Sequence, residues 1–238
     1  MKKILRVWIC LIAVLGLMMA LSNSCKKDKE NSNNNPTVTD IDGNVYHTVT
    51  IGSQTWMVEN LNTSRYRDST LIPNVTDNLA WISLTTGAFC DYENLPSNSK
   101  TYGKLYNWYA VTDSHNICPI GWHIPSDAEW TTLTDFLGGE NTAGGKLKEA
   151  GTTHWQSPNY GATNESGFTA LPGGRRNSDG SFENPLNKLG IRYDGAWWTS
   201  TLFGMHSIWY RSIGYSGIGV GRNDSMETNG FSIRCIKD

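Results

Sequence analysis

The clearest hydrophobic pattern in the chain lies between residues 126 and 139. Its apolar positions recur at the spacing of one helical face, and they are Trp130, Leu133 and Leu137. Ser126 and Glu129 form a capping box, in which the hydroxyl accepts from the amide of Glu129 and the carboxylate accepts from the amide of Ser126. Two glycines at 138–139 supply the left-handed conformation that ends helices. The pattern predicts an amphipathic helix over residues 126–137.

A period-two alternation of apolar and polar residues runs through residues 38–58 and includes an Asp-Gly turn signal at 42–43. This pattern predicts short strands joined by tight turns. Asp40, Asp42 and Asn44 have the composition of a calcium loop, but the glycine stands at the wrong position and the closing glutamate is absent. We therefore interpret these three residues as part of a turn.

The remaining periodic segments are shorter. Tyr102, Leu105, Tyr106 and Tyr109 fall at helical spacing and predict a second helix over 101–111, while 143–150 predict one more helical turn. Between 61 and 99 the chain is polar and irregular, with Trp81 and Phe89 as its expected anchors. The later apolar runs predict short strands at 167–171, 196–201, 207–213, 218–220 and 231–236. The expected class is α+β with two main helices and long loops.

Composition and charge restrict the classes of partner. The 20 Lys and Arg residues are balanced by 22 Asp and Glu residues, so the formal net charge is -2 and the chain lacks the basic surface that nucleic-acid binding needs. The ten Trp and ten Tyr residues indicate an aromatic core, and the 24 glycines indicate many turns between the elements that form it. We expect no nucleic-acid partner.

The N-terminal region has the pattern of an export signal. Three basic residues precede the apolar run 7–21, which is shorter than the roughly 20 residues of a membrane-spanning helix. Small polar residues lead from this run to Cys25, and the segment resembles the lipobox of bacterial lipoproteins, with Ser22 where the usual leucine stands. We expect a signal peptide over 1–24 and lipidation at Cys25, with residues 38–238 forming a single domain.

Residues 25–37 are expected to be a flexible tether, since residues 26–36 contain no apolar side chain. Their charged start is similar to the export signals of surface lipoproteins in Bacteroidetes. The expected location is therefore the outer membrane, with the lipid anchor as the membrane partner and the domain at the cell surface.

Six motifs along the chain resemble one known family. In order they read IGSQTWMVENL, TYGKLYNWYAV, CPIGWHIPSDAEWTTL, ESGFTALPGG, WWTST and GFSIRCIKD. Together they identify residues 40–238 as similar to the Fibrobacter succinogenes major paralogous domain of bacterial lipoproteins. HIPSDAEW and GFSIRC are also similar to segments of formylglycine-generating enzymes. The resemblance implies a C-type-lectin-like (sulfatase-modifying-factor-like) fold with small twisted antiparallel sheets. The family has no established biochemical activity that could be transferred to this chain.

The residues give little support to catalysis. The resemblance to formylglycine-generating enzymes would require a cysteine pair before the last strand, and residues 210–230 contain no cysteine. The five histidines are scattered, and a Ser200–His206–Asp194 triad lacks a nucleophile elbow. We expect no catalytic residue, metal or cofactor. The alternative hypothesis is an enzyme derived from this scaffold whose active site is unrecognised.

Three cysteines remain in the mature domain, namely Cys90, Cys118 and Cys235. Their odd number leaves one thiol unpaired. The resemblance implies a disulfide between Cys118 and Cys235, because C-type-lectin-like folds usually join the last strand to the first helix region. A Cys90–Cys118 bridge and three reduced thiols remain as alternatives.

The last quarter of the chain suggests binding. Its aromatic residues alternate with Arg and Asn, which are side chains that contact sugars and protein partners. The expected ligand-binding residues are Arg175, Arg176, Tyr193, Trp198, Tyr210, Arg222 and Asn223. WWTST is interpreted as a strand with one tryptophan inside and one outside. Glu183-Asn184-Pro185 and Arg222-Asn223-Asp224 match the calcium-lectin motifs poorly, so calcium-dependent sugar binding is disfavoured.

These observations favour a surface-anchored, non-catalytic recognition or adhesion module. Its loops between about 172 and 222 are expected to bind a polysaccharide or a protein.

Overall fold

A computed structural model describes residues 36–182 and 190–238. The predicted signal peptide, Cys25, the tether as far as residue 35 and the motif at 183–185 lie outside the described residues. The first three strands are β1 (Thr37–Thr39), β2 (Val45–Ile51) and β3 (Gln54–Met57). They confirm the predicted strands and tight turns of the 38–58 segment. The Asp40 carboxylate accepts from the amides of Asp42 and Asn44, which confirms the turn.

The middle of the chain contributes most of the helices. These elements are α1 (Asn78–Ile82), β4 (Phe89–Cys90), a 3-10 turn (Tyr92–Asn94), α2 (Pro96–Tyr102), β5 (Leu105–Tyr106), α3 (Trp108–Val111), β6 (Trp122–His123), α4 (Asp127–Phe136) and α5 (Glu140–Leu147). Trp81 and Phe89 are both buried, as expected of the anchors of this region. Residues 148–182 and 190–193 form the long loop region.

The last part of the chain is mainly β-structure. It contains β7 (Asp194–Gly204), β8 (Ser207–Gly214), β9 (Gly221–Ser225) and β10 (Ile236–Lys237). The described strands form a five-stranded sheet in the order β1-β2-β3-β10-β6, a β4-β5 pair and a β7-β8-β9 sheet. All the strand pairings are antiparallel. The α+β class is confirmed.

The capped helix is α4. The Ser126 hydroxyl accepts from the amide of Glu129 at 3.2 Å, and the Glu129 carboxylate accepts from the amide of Ser126 at 2.7 Å. Trp130 and Leu133 are fully buried and pack with Trp56 and Trp197 in the core between α4 and the two larger sheets. The local pattern therefore predicted this helix correctly.

The predicted helix over 101–111 is wrong. Gly103 ends α2 with a φ of +75°, and a Cβ there would lie 2.7 Å from Cβ of Asn60. Leu105 and Tyr106 instead form β5, in which they pair with Cys90 and Phe89 of β4. Hydrogen bonds to β4, which lies earlier in the chain, thus replace the hydrogen bonds of the predicted helix. The second of the two longest described helices is α5, which includes most of the predicted turn at 143–150.

Other strand predictions hold in part. β7 and β8 contain the predicted strands 196–201 and 207–213, but β9 begins after the predicted 218–220. Residues 167–171 and 231–235 make isolated bridges rather than named strands. Trp197 and Trp198 are both fully buried, so the expectation of one inner and one outer ring is wrong. The reason is that both faces of β7 are covered at this point, by the cluster that contains Trp130 and by the cluster that contains Phe231.

Cys118 and Cys235 form a disulfide, as the family resemblance implies. The bond joins the loop before β6 to the end of the chain just before β10, and it spans 117 residues of sequence. Cys90 is a buried free thiol. None of the described helices has the length and apolar character that crossing a bilayer requires.

Candidate functional site

Arg176, one of the predicted ligand-binding residues, belongs to the core. Its side chain has no exposed surface, and its guanidinium donates to the carbonyl oxygens of Val75 and Gly180 at 2.6 and 2.8 Å. The guanidinium also lies 4.3 Å from the centre of the Trp81 ring. Arg176 therefore joins loops in the interior and cannot contact an external ligand in this conformation.

Trp198 is also in the core, contrary to the expectation that it binds a ligand. It is fully buried, its ring lies 4.3 Å from that of Phe231, and its indole nitrogen donates to the Tyr106 carbonyl at 2.7 Å. Its contacts serve the packing of β7 onto β5. No part of Trp198 is available to a partner.

Arg175, Tyr193 and Tyr210 are partly accessible but engaged with neighbours. Arg175 donates through Nε to the buried carboxylate of Asp194 at 3.0 Å and through Nη1 to the hydroxyl of Tyr210 at 3.3 Å. Tyr193 packs edge-on against Tyr215, with ring centres 5.3 Å apart. These side chains form a wall in which the arginine charge is already neutralised.

Arg222 and Asn223 are exposed on β9, as binding requires. Trp209 pairs with Asp224 and Arg211 pairs with Arg222 across β8 and β9, so Trp209 and Arg222 share one face of the sheet. The Arg222 guanidinium lies 4.1 Å from the centre of the Trp209 ring. Arg222 is therefore a cation on an aromatic face rather than a mobile surface charge.

Asp127 fixes Arg222 in this position. Arg222 donates to the Asp127 carboxylate through Nε at 3.1 Å and through Nη2 at 2.6 Å. The same carboxylate accepts from Nη2 of the fully buried Arg211 at 2.7 Å, and Glu140 accepts from Nη1 of Arg211 at 2.5 Å. Two helices, α4 and α5, thus hold the two arginines in one network of alternating charge.

The network determines the ionisation of its members. Burial by itself raises the pKa of Asp127, but the hydrogen bond from Arg222 and the charge of Arg211 outweigh burial, so the pKa lies below its ordinary value of 3.8. The hydrogen bond to Asp127 raises the pKa of Arg222. Both groups therefore stay charged at neutral pH and Arg222 remains held by Asp127.

The β7–β8 hairpin extends this site with apolar residues. Leu202 pairs with Ile208 and Gly204 with Ser207, with shifts of register on both sides of Leu202. The tip of the hairpin exposes Phe203 to 55% and Met205 to 89%. The Phe203 ring lies 4.6 Å from that of Trp209 at an interplanar angle of 71°.

One more exposed apolar residue, Met226, directly follows β9 and lies near the hairpin. Ile208 pairs with Ser225, which places the exposed Met226 next to the base of the tip. We call the resulting surface the hairpin patch. It consists of Phe203, Met205, Trp209, Arg222 and Met226, whereas Leu202 pairs with Ile208 and therefore lies on the other face of the hairpin.

Polar groups border the hairpin patch. Ser207 donates to the Asp224 carboxylate, and His206 lies 3.5 Å from the Glu227 carboxylate. The hydroxyl of Tyr109 also donates to Glu227, at 3.4 Å. An apolar centre with a polar border is the usual anatomy of a protein-binding surface.

The sequence contained a signal for the hairpin patch that the prediction did not use. Leu202, Phe203 and Met205 lie at the end of an alternating strand beside Gly204, where a turn is expected. Apolar residues at a hairpin tip have no core to enter, so they are exposed. The contact of Trp209 with Arg222 depends on strand register, which the sequence did not reveal.

The described part of the chain does not bring together the catalytic triad or the metal ligands that the sequence analysis considered. Asp194 is bonded to Arg175 and His206 lies beside Glu227, so the Ser200–His206–Asp194 triad is not assembled. Within residues 36–182 and 190–238, no three His, Cys, Asp or Glu side chains converge as metal ligands would. Burial raises the pKa of the Cys90 thiol to about 12, and this makes it a poor nucleophile.

Comparison with known proteins gives one match. A family model described as the Fibrobacter succinogenes major domain matches residues 49–237. No curated protein and no solved structure matches the chain. The matched range includes the capped helix, both disulfide cysteines and the hairpin patch.

Proposed function

The chain belongs to the Fibrobacter succinogenes major domain family, and from this premise we propose that it is a surface-anchored lipoprotein with a non-catalytic role in recognition or adhesion. Its ligand in this proposal is a protein, and the contact surface is the hairpin patch. The scaffold in the same proposal is a C-type-lectin-like one. The disulfide between Cys118 and Cys235 supports that scaffold, since it joins the last strand to the region of the capped helix.

The observation that carries the proposal is the concentration of exposed apolar side chains at one hairpin tip. Leu202, Phe203, Met205 and Met226 are each more than half exposed. Contiguous apolar surface on a soluble domain costs solubility and is typical of interaction sites. Methionine is suited to such a surface because its flexible side chain adapts to a partner.

The aromatic and cationic part of the patch has the character of a binding hot spot. Trp and Arg are the residue types most enriched among side chains whose truncation weakens protein interfaces. Arg222 is held in place by two hydrogen bonds to Asp127, so little side-chain entropy remains to be lost on binding. The patch is therefore ordered before a partner arrives.

Protein fits this patch better than glycan. A sugar stacks on an open aromatic face, but Arg222 covers one face of Trp209 at 4.1 Å and Phe203 contacts the same ring at 4.6 Å. Sugar hydroxyls also need several free polar groups, whereas the tip offers Leu202, Met205 and Met226. Apolar side chains of a protein partner complement this surface.

Anchoring is the second part of the proposal and rests on Cys25 and the residues after it. The ten residues from 26 to 35, which precede the described domain, could span at most about 36 Å if fully extended. In this proposal, the segment between the lipid anchor and the domain lets the hairpin patch reach a partner. Replacing Cys25 by Ser is expected to move the protein from the membrane fraction to the soluble fraction.

The test compares two pairs of substitutions in the full-length chain, solubilised in detergent. The Phe203→Ala/Met205→Ala variant removes the centre of the hairpin patch, and the Leu79→Ala/Ile82→Ala variant removes an equally apolar exposed pair on α1. We expect isolated surface proteins to bind the wild type and the α1 variant but not the hairpin variant. Equal binding by all three chains, or binding to a glycan array through the hairpin, contradicts the proposal.

A further inference from the structure

A second surface feature lies away from the hairpin patch, along β2 and the end of β3. It is a groove of about 590 Å³, within the range of about 300–1,000 Å³ that is usual for small-ligand sites. We call it the strand groove. Its lining residues are His47, Thr48, Val49, Thr50, Val58, Gly167 and Thr169.

One wall of the strand groove is a strained loop. Thr169 has a φ of +54°, a conformation that a β-branched side chain adopts only under constraint from its surroundings. Asn164 provides that constraint, because its carbonyl oxygen accepts from the Thr169 amide at 2.9 Å and its amide group donates to the Thr169 hydroxyl at 3.0 Å. Strain retained in this way is concentrated at binding and catalytic sites.

The same loop approaches the strand at Gly167. A Cβ at this position would lie 3.2 Å from Cγ2 of Val49, and its φ of +71° also favours glycine. The loop thus lies against β2 as closely as a glycine permits. Phe168 and Ala170, on either side of Thr169, are fully buried and fix the loop to the core. The groove therefore has a preformed wall.

The chemistry of the groove is apolar at its base and polar at its sides. Val49 and Val58 are half-buried and provide aliphatic surface. The hydroxyl of Thr48 donates to the Pro36 carbonyl at 3.0 Å, and the hydroxyl of Thr169 donates to the Gly167 carbonyl at 3.3 Å. A hydroxyl oxygen that donates its proton still accepts, so these groups present acceptors to a ligand rich in O–H donors.

Among the residues that line the groove, His47 is the only one with an ionisable side chain. Nδ1 of His47 lies 2.7 Å from the Glu59 carboxylate, which also accepts from the His47 amide at 2.8 Å. Glu59 lies beside the groove rather than in its lining, so its carboxylate disfavours an approaching anion, and a cationic ligand would find no acidic side chain among the lining residues. The ligand class that fits is uncharged, with an aliphatic face and several hydroxyls.

We propose that the strand groove binds a neutral saccharide, with the C–H face of the sugar on Val49 and Val58 and its hydroxyls directed to His47 and the threonines. This site is independent of the hairpin patch, since it uses β2, the end of β3 and the 164–169 loop. Failure of protein recognition at the hairpin would leave it unchanged.

The experiment titrates neutral disaccharides, namely cellobiose, maltose and lactose, into the full-length chain in detergent, with glucuronic acid as an anionic comparison. Calorimetry measures affinity, and thermal unfolding verifies that each variant is folded. Val58→Arg fills the base of the groove, and Leu79→Arg introduces the same charge on the exposed face of α1. We expect at least one neutral disaccharide to bind the wild type and Leu79→Arg, with an affinity about tenfold weaker or worse for Val58→Arg.

Two further variants keep the test decisive if Val58→Arg does not fold. His47→Ala is at an exposed position, and we expect it to weaken binding about tenfold through the loss of a hydrogen bond between the imidazole ring and a sugar hydroxyl. Thr169→Gly relieves the strained φ, so we expect an unchanged or higher unfolding temperature together with weaker binding. Absence of binding by all three disaccharides, equal affinity in His47→Ala and the wild type, or preference for glucuronic acid overturns the proposal.

Discussion

At the scale of single residues, buried cations organise this protein. Arg234 is fully buried, stacks 4.2 Å from the Phe168 ring and donates to the side-chain oxygen of Asn60 at 2.7 Å. Lys148 is equally buried and donates to the carbonyl oxygens of Tyr160 and Gly217 at 2.9 and 2.8 Å. These side chains supply donors to loop carbonyls that no strand or helix satisfies. Arg176 has the same role in the core, although its residue type and its place in the sequence had suggested a ligand contact at the surface.

The Asp127→Asn variant tests the ion network beneath the hairpin patch. Asp127 neutralises Arg211, whose side chain is fully buried, so we expect the substitution to lower the free energy of unfolding by about 3 kcal/mol. Glu140→Gln is the matched control, because Glu140 contacts the same arginine but its side chain is 40% exposed. Chemical denaturation measures both variants. A larger loss for Glu140→Gln than for Asp127→Asn contradicts this account of the network.

At the scale of elements, local signals predicted α4 and tertiary contacts overrode the other helix. The capping box from Ser126 to Glu129 acts within one turn, so it can be recognised in the sequence and is present in the structure. The helical spacing of the residues from Tyr102 to Tyr109 was equally clear, but β5 pairs with β4 instead. That pairing depends on residues about 15 positions earlier in the chain, and no local pattern reveals it.

Part of the candidate site could be predicted from the sequence, and part of it could not. Residue type predicted Arg222 and Asn223, because polar residues on an edge strand remain exposed. The contact of Arg222 with Trp209 arises from the register of β8 and β9, and the contact of Phe203 with the same ring depends on how β7 pairs with β8, where the register shifts twice. Register is a property of the assembled sheet, so these features required the structure.

His123 connects α4 to the end of the chain and predicts a pH dependence. Its Nε2 lies 2.9 Å from the Glu129 carboxylate, and its Nδ1 lies 2.7 Å from the Asp238 carboxylate. Burial by itself lowers the pKa of His123, but these hydrogen bonds outweigh burial and raise the pKa above its ordinary 6.5. The folded state therefore binds this proton more tightly, and the stabilisation is complete below pH 6.5 and lost as pH rises through the raised pKa.

We expect His123→Gln to lower the free energy of unfolding at about pH 5.5 and to have little effect at about pH 8.5. Glu129 remains ionised at the lower pH, because its hydrogen bonds with Ser126 and His123 outweigh burial and bring its pKa below the ordinary 4.5. Urea denaturation at the two pH values measures the difference. A larger effect at the higher pH reverses the sign and contradicts the assignment.

At the scale of the whole molecule, the disulfide and the central strands join distant parts of the sequence. Ile236 of β10 pairs with Trp56 of β3 and with His123 of β6, so the last residues complete the five-stranded sheet. The Cys118–Cys235 bond lies directly beside this pairing. Family resemblance predicted the bond, whereas cysteine spacing alone left other pairings open. The last residues are therefore joined to earlier parts of the chain both by a covalent bond and by strand hydrogen bonds.

The Cys118→Ala/Cys235→Ala variant tests the contribution of the disulfide. In the chain-entropy account, a cross-link over 117 residues stabilises the folded state by about 5 kcal/mol, so we expect a loss of this size in the free energy of unfolding. Cys90→Ala is the control, since Cys90 is buried but unpaired, and we expect a loss of about 1 kcal/mol from the small cavity. Equal losses in the two variants would show that the disulfide contributes packing alone.

We propose that the hairpin patch recognises a protein at the cell surface. The most direct measurement places a photo-crosslinking amino acid at Met205 of the full-length chain in intact cells, with the same group at Leu79 of α1 as the control. We predict a protein adduct of defined mass from position 205 that is absent from position 79 and weakened by Phe203→Ala. The absence of any protein adduct at 205, or the same adducts at both positions, contradicts the account.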